Sequence, residues 1–135
     1  MNSKTITICG KEVEMLYCAA TETGYESISG QSCEIFIPQS IKDNNGHEQI
    51  QLRATTTDYI RLAIAAVIAA YQRQGEEAPV TADDILYNAT SKEVQTLITT
   101  VIELRTAWYL VPAVIKDEDV KNEDDDEKEA KPKNS

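Results

Sequence analysis

The chain reads as α+β, mainly α: an N-terminal β-hairpin packed on a small bundle of about four helices, followed by a disordered acidic C-terminal tail. Three observations predict this. "TITICGKEVEMLY" alternates β-branched and polar residues about a glycine, which is the period of a half-buried strand pair. Two later stretches repeat apolar residues at helical spacing, and the last twenty residues carry almost nothing to bury. These features divide the 135 residues into one folded domain over 1–115 and a tail over 116–135.

The hairpin is expected at 5–9 and 12–17. Alone it would be marginal in water, so it has to lie on a helix, and "CAATETGYESISGQS" offers one over 18–28, closed by Gly30. Gly24 interrupts it at a cost of about 1 kcal/mol. Over 32–57, "CEIFI" and "EQIQL" suit short strands around "KDNNG", while Pro38 and the polar residues suit a wandering loop. The region reads as a loop with room for short strands.

A helix over 57–73 is clearer. Ile60, Ile64, Val67 and Tyr71 form one stripe, and Leu62, Ala65, Ala66 and Ala69 cover the other side, so it should be buried nearly all round. Its alanine face invites another backbone to approach closely. The helix ends at the glycine turn in "QRQGEEAP". A last helix over 91–109 collects Val94, Leu97, Ile98, Val101, Ile102, Leu104, Trp108 and Tyr109 on one broad arc, with Trp108 read as core, and Pro112 should stop it.

Between these helices "PVTADDILYNATSKEV" announces a helix start twice. Thr81 precedes Asp84 by three residues and Thr90 precedes Glu93 by three, so each pair reads as a capping box. A single-turn helix inserted there makes a corner and projects Ile85, Leu86 and Tyr87 as a wedge. The plainer reading is a capped connector. Arg105 falls amid the apolar arc, where it either snorkels toward the helix C-terminus or joins a buried or interfacial ion pair.

Charge narrows the function classes. The chain carries 23 acidic and 13 basic residues, a formal net charge of −10. "KDEDVKNEDDDEKEAKPKNS" holds one large apolar residue, Val120, so no burial can offset its ordering entropy. The body is acidic as well, and its Lys and Arg are scattered, which argues against nucleic acid and against an acidic membrane surface. Cys9, Cys18 and Cys33 form no CxxC pair, the N-terminus shows no apolar signal core, and "LAIAAVIAAY" is well short of the ~20 residues of a membrane span. A reducing cytoplasm is the expected compartment.

No catalytic, cofactor or metal motif emerges. His47 is the only histidine, with no local pattern joining it to a cysteine. "DNNGHE" lacks the remaining ligands of a calcium loop and reads as a tight turn, and "SGQS" lacks the residues of a phosphate loop. Asp83 and Asp84 sit where the helix dipole favours carboxylates.

"GKEVEMLYCAATETGYESISGQS" is a short hairpin leading to a helix with a Tyr-Glu pair and a Ser-Gly end. "DYIRLAIAAVIAAYQRQGEEAPVTADDILYNATSKEVQTLITTVIELRTAWY" is an alanine-rich helix with a "GEE" turn, then a last helix ending in Trp-Tyr. Together these resemble the tail assembly chaperones of long-tailed bacteriophages and prophages, in the form found with gut Bacteroides-type hosts. The resemblance covers most of the chain outside 32–56 and the tail, and its motifs are architectural.

It implies a non-enzymatic protein that binds the aggregation-prone tape-measure protein in the cytoplasm of the bacterial host and self-associates during tail assembly. It also implies a longer frameshifted product, whose extension would begin in the acidic tail. With that role, Leu86, Tyr87, Arg105, Trp108 and Tyr109 are the candidate partner-binding residues. The alternative is a structural tail or head-completion protein retained in the particle, which mass spectrometry of purified particles would detect. A small cysteine hydrolase would need one preferentially reactive thiol, and a DNA mimic would need its carboxylates arrayed on one surface.

Overall fold

In the computed structural model, residues 2–116 are described, with side chains over 2–110. They form two units, one ending at Leu104 and one beginning at Arg105. The element order is β-hairpin, helix, 3₁₀ turn, β-hairpin, helix, π turn, helix, which is the α+β, mainly α fold that the sequence predicts. The expected acidic tail lies outside the described residues apart from Lys116.

β1 (Ser3–Ile8) pairs antiparallel with β2 (Lys11–Leu16), with Ile6 opposite Val13 and Ile8 opposite Lys11. The loop is therefore Cys9-Gly10, one residue earlier than the alternation suggests. Both residues have positive φ, 53° and 76°, as a type I′ turn demands to match the twist of the strands. Gly10 adopts this freely, whereas Cys9 does so against its own Cβ. Ile6, Ile8, Val13 and Met15 share one face of this sheet, where Ile8, Val13 and Met15 are fully buried and β2 lies against the later long helix.

α1 (Ala19–Ser29) starts where Thr21 Oγ1 accepts from the Cys18 N–H at 3.1 Å and donates to the Leu16 carbonyl at 2.6 Å. It ends at Gly30, whose φ of 72° lets its N–H reach back to the Glu26 carbonyl at 2.9 Å. α2 (Thr56–Gln74) packs against it, and Gly24 is where they come close: a Cβ there would stand 3.5 Å from Ala65 Cβ. The glycine and the alanine face of α2 thus belong to one contact. α2 opens on a capping box between Thr55 and Asp58, buries Leu62 to Val67 without a gap, and closes at Gly75 with two reversed bonds, Gly75 N–H to Gln72 O and Glu76 N–H to Tyr71 O.

The region over 32–57 contains one of the expected strands, and "CEIFI" is not a strand. The Ser32 hydroxyl accepts from Glu34 N–H, and the Glu26 carboxylate accepts from Cys33 N–H at 2.9 Å, which curls Cys33–Phe36 into a 3₁₀ turn. Phe36 then docks between Tyr25 and Tyr59, with ring centroids 4.9 and 5.0 Å away. β3 (Gln39–Lys42) and β4 (Glu48–Gln51) follow as an antiparallel hairpin around Asp43–Asn44–Asn45–Gly46–His47. Asp43 Oδ1 accepts from both Asn45 and His47 N–H at 2.9 Å, so the tight turn read from "DNNGH" is an Asx-type turn. Arg53 donates to the Glu34 and Ile37 carbonyls and fastens the base of this hairpin.

α3 (Ser91–Lys116) continues through Pro112, against expectation. A proline removes one N–H from the ladder, but its own φ is helical, so the backbone can run on. The buried stripe is also narrower than the arc read from periodicity. Leu97, Thr100, Val101 and Leu104 are inside, Val94 and Ile98 are half-buried, and Ile102 is exposed. Within the first unit α3 is tied to β1 by the Asn2 side chain on the Leu104 carbonyl and by Lys4 Nζ on the Glu103 carboxylate at 2.7 Å. Among the described residues no helix is long and apolar enough to cross a membrane.

Candidate partner-binding surface

The corner forms as the doubled caps foretell. Thr81 and Asp84 exchange bonds of 3.0 Å in both directions, and Thr90 and Glu93 do the same at 2.9 and 3.2 Å. Between them Asp84–Asn88 winds as a single π turn, wider than an α turn. The Asp84 carboxyl is held below the usual carboxylate range, chiefly by the Thr81 backbone N–H and then its hydroxyl, with Asn88 and the charge of Lys11 adding to it.

The tip of the first hairpin clamps this corner at three points. Cys9 N–H donates to Glu93 Oε2 at 3.0 Å, Cys9 Sγ reaches the Asp84 carbonyl at 3.8 Å, and Lys11 Nζ reaches the Pro79 carbonyl at 3.2 Å. The backbone is pinned, and the three consecutive large side chains divide. Ile85 is 2% exposed and belongs to the core, which corrects its place in the wedge. Leu86 at 54% and Tyr87 at 80% stand in solvent. Successive side chains on a helical turn point about 100° or somewhat less apart, so three consecutive residues cannot face the same way: one anchors and two project.

The other three expected residues lie in the second unit. Arg105 is half-buried, and its guanidinium carbon lies 4.7 Å from the centroid of the Tyr109 ring. Neither expectation for Arg105 included this: the cation rests on an aromatic face. Trp108 meets Tyr109 edge-on, with centroids 4.9 Å apart and planes at 78°. Trp108 is half-buried rather than core, because the buried stripe of α3 ends at Leu104. Leu86 and Tyr87 are therefore one candidate group, and Arg105, Trp108 and Tyr109 another.

Two features escaped the sequence reading. Ile50 at 69% and Leu52 at 74% exposure accompany the second hairpin, and the alternation in "EQIQL" was the available signal. The second is a buried polar pair: Tyr25 OH donates to Asp58 Oδ1 at 3.0 Å, while Asp58 Oδ2 accepts from the Thr55 N–H and hydroxyl at 2.8 and 2.9 Å. Burial pushes the Asp58 carboxyl up, but the Thr55 bonds, the Tyr25 bond and the Arg61 charge outweigh it and leave the group below its ordinary value. Burial raises Tyr25, and the Asp58 bond and charge raise it further. The cue was "TTTD", a capping box at the head of α2.

Among the described residues no three His, Cys, Asp or Glu side chains gather as a metal ion would require. No known protein family, no characterised protein and no solved structure matches the chain.

Proposed function

We propose that the chain is a non-enzymatic assembly chaperone of the phage or prophage tail kind. It keeps the tape-measure protein soluble in the host cytoplasm by covering that partner's apolar helices, and it self-associates while doing so. One observation carries the binding half of this reading. Leu86 and Tyr87 project from a corner fixed by two capping boxes and clamped by a hairpin tip, with Ile85 anchoring the turn from inside.

A rigid mount spares the backbone its ordering cost when a partner covers Leu86 and Tyr87, and aromatic anchors such as Tyr supply much of the energy at protein contacts. The phage assignment itself rests on the resemblance in the two quoted stretches. An acidic body and tail suit a protein that must stay soluble while holding an insoluble client.

The test is the double variant Leu86→Ser with Tyr87→Ser. Both side chains are exposed, so the thermal midpoint should move by no more than about 2–4 °C. A co-expressed tape-measure protein should then pass from the soluble to the insoluble fraction. A folded double variant that still keeps the partner in solution sinks the corner as the binding surface.

A further inference from the structure

β3 and β4 make a two-stranded sheet in which all eight residues are exposed, so neither face is covered. Such a hairpin is marginal in water, and a third strand or a covering element is what makes it stable. Among the described residues no strand pairs with the other edge of β4. Asp43 N–H bonds the His47 carbonyl at 2.9 Å, and Ile41 pairs with Gln49 and Gln39 with Gln51. Counting along this ladder from Asp43 and His47, the N–H and C=O groups of Glu48 and Ile50 point outward. That edge carries Ile50, and Leu52 follows it on the same face.

The charge of this segment says which partner suits it. From Gln39 to Arg53, Lys42 and Arg53 balance Asp43 and Glu48, in a chain whose net charge is −10. Two copies of an acidic chain repel each other over most of their surface, and this neutral stretch is where they can meet at least cost. A basic partner would be drawn to the acidic remainder instead.

The edge is also self-complementary. Antiparallel pairing about a two-fold axis sets each Ile50 beside its counterpart and each Glu48 beside the counterpart of Leu52, so no like charges oppose. Two isoleucines and two leucines then share one face. The first hairpin gathers the same number of large apolar side chains on its buried face by itself.

We propose that β4 is the edge through which two copies of this chain associate, joining their hairpins into one four-stranded antiparallel sheet. The proposal takes only self-association from the function proposed above, and it assigns that to a surface other than the Leu86–Tyr87 corner.

Light scattering on the full chain tests it with two variants. Ile50→Pro removes an outward N–H and none from the hairpin's own ladder, a position where edge strands tolerate proline. Ile50→Lys keeps the N–H but sets two charges against each other on the axis. The wild type should show twice the monomer mass or a multiple of it. Both variants should fall to the monomer mass, with the helical signal in far-ultraviolet dichroism unchanged. If Ile50→Pro loses hairpin structure, Ile50→Lys decides.

A wild type that is monomeric at its solubility limit overturns the proposal, as does an Ile50→Lys variant that stays associated. The Leu86→Ser, Tyr87→Ser variant should remain associated. If that variant alone dissociates, copies meet at the corner and the β4 proposal fails. Loss or retention of the tape-measure protein in the soluble fraction separately judges the corner as its binding surface.

Discussion

β1–β2 puts Ile8, Val13 and Met15 out of reach of water, whereas β3–β4, with one isoleucine in each strand, leaves Ile41 and Ile50 in it. The difference is the register. In the first, Ile6 sits opposite Val13, and Ile8 and Met15 fall on the same side, so one face is apolar and can be laid on α2. In the second, Ile41 sits opposite Gln49 and Ile50 opposite Ser40, which sends the two isoleucines to opposite faces. Neither face is then apolar enough to bury. Apolar residues in both strands are not sufficient: they must be in phase across the turn to build one apolar face.

The largest expected effect breaks that comparison at its root. Met15→Ala should cost about 2–5 kcal/mol, while Ile50→Ala in the monomer should stay within about 0.5 kcal/mol. Urea denaturation of both reads this directly, and equal costs would mean that the second hairpin is buried after all. Next comes Tyr25→Phe, which strips one donor from the buried Asp58 carboxylate at the head of α2 and should cost about 1–3 kcal/mol.

Asp58 adds a pH dependence of known sign. Its carboxyl titrates lower in the folded chain than the ordinary value of about 3.9, so the unfolded chain takes up the proton first. The stabilisation is complete above that value and is lost as pH falls below it toward the folded pKa. Thermal midpoints recorded from pH 6 down to pH 2 should therefore drop less steeply in Asp58→Asn than in the wild type, from a lower starting point.

Gly24→Ala should stabilise by about 0.5–1 kcal/mol. The added Cβ would meet Ala65 at an ordinary contact distance of 3.5 Å. Gly24→Leu should reverse the sign, because α2 leaves no room for a longer side chain. The smallest effect sharpens the contrast between the two turns. Cys9 occupies a left-handed position without the side-chain help that Asp43 gives the second turn, so Cys9→Asn should gain about 0.5 kcal/mol in thermal or urea unfolding.

What the sequence discloses and what it hides divide along similar lines. Signals that are local and chemical were legible: both capping boxes, the glycine ends of α1 and α2, the unbroken burial of α2 from Leu62 to Val67, and the projection of Leu86 and Tyr87. Features decided by a distant partner were not. Gly24 reads only as a helix weakener until Ala65 arrives beside it and limits the position to a small side chain, and "CEIFI" looks like a strand until Glu26 and Ser32 bend it. Tyr25 and Asp58 are 33 residues apart, with nothing in either neighbourhood naming the other. Ile85 cannot share the wedge with Leu86 and Tyr87, because three consecutive residues of a helical turn spread around its axis and the one facing inward is taken up by the core.

Glu93 has a consequence for timing. One of its oxygens accepts from Thr90 N–H, three residues away, and the other from Cys9 N–H, 84 residues away. The first bond can close as soon as that stretch of chain exists. The second joins the opposite ends of the folded unit, so during synthesis at 5–20 residues per second the hairpin tip waits about 4–17 s for its latch. α2 is complete well before then and can already cover Val13 and Met15. The clamp on the corner is accordingly a late contact, and Leu86 and Tyr87 gain their rigid mount only after both hairpins, α1 and α2 have been made.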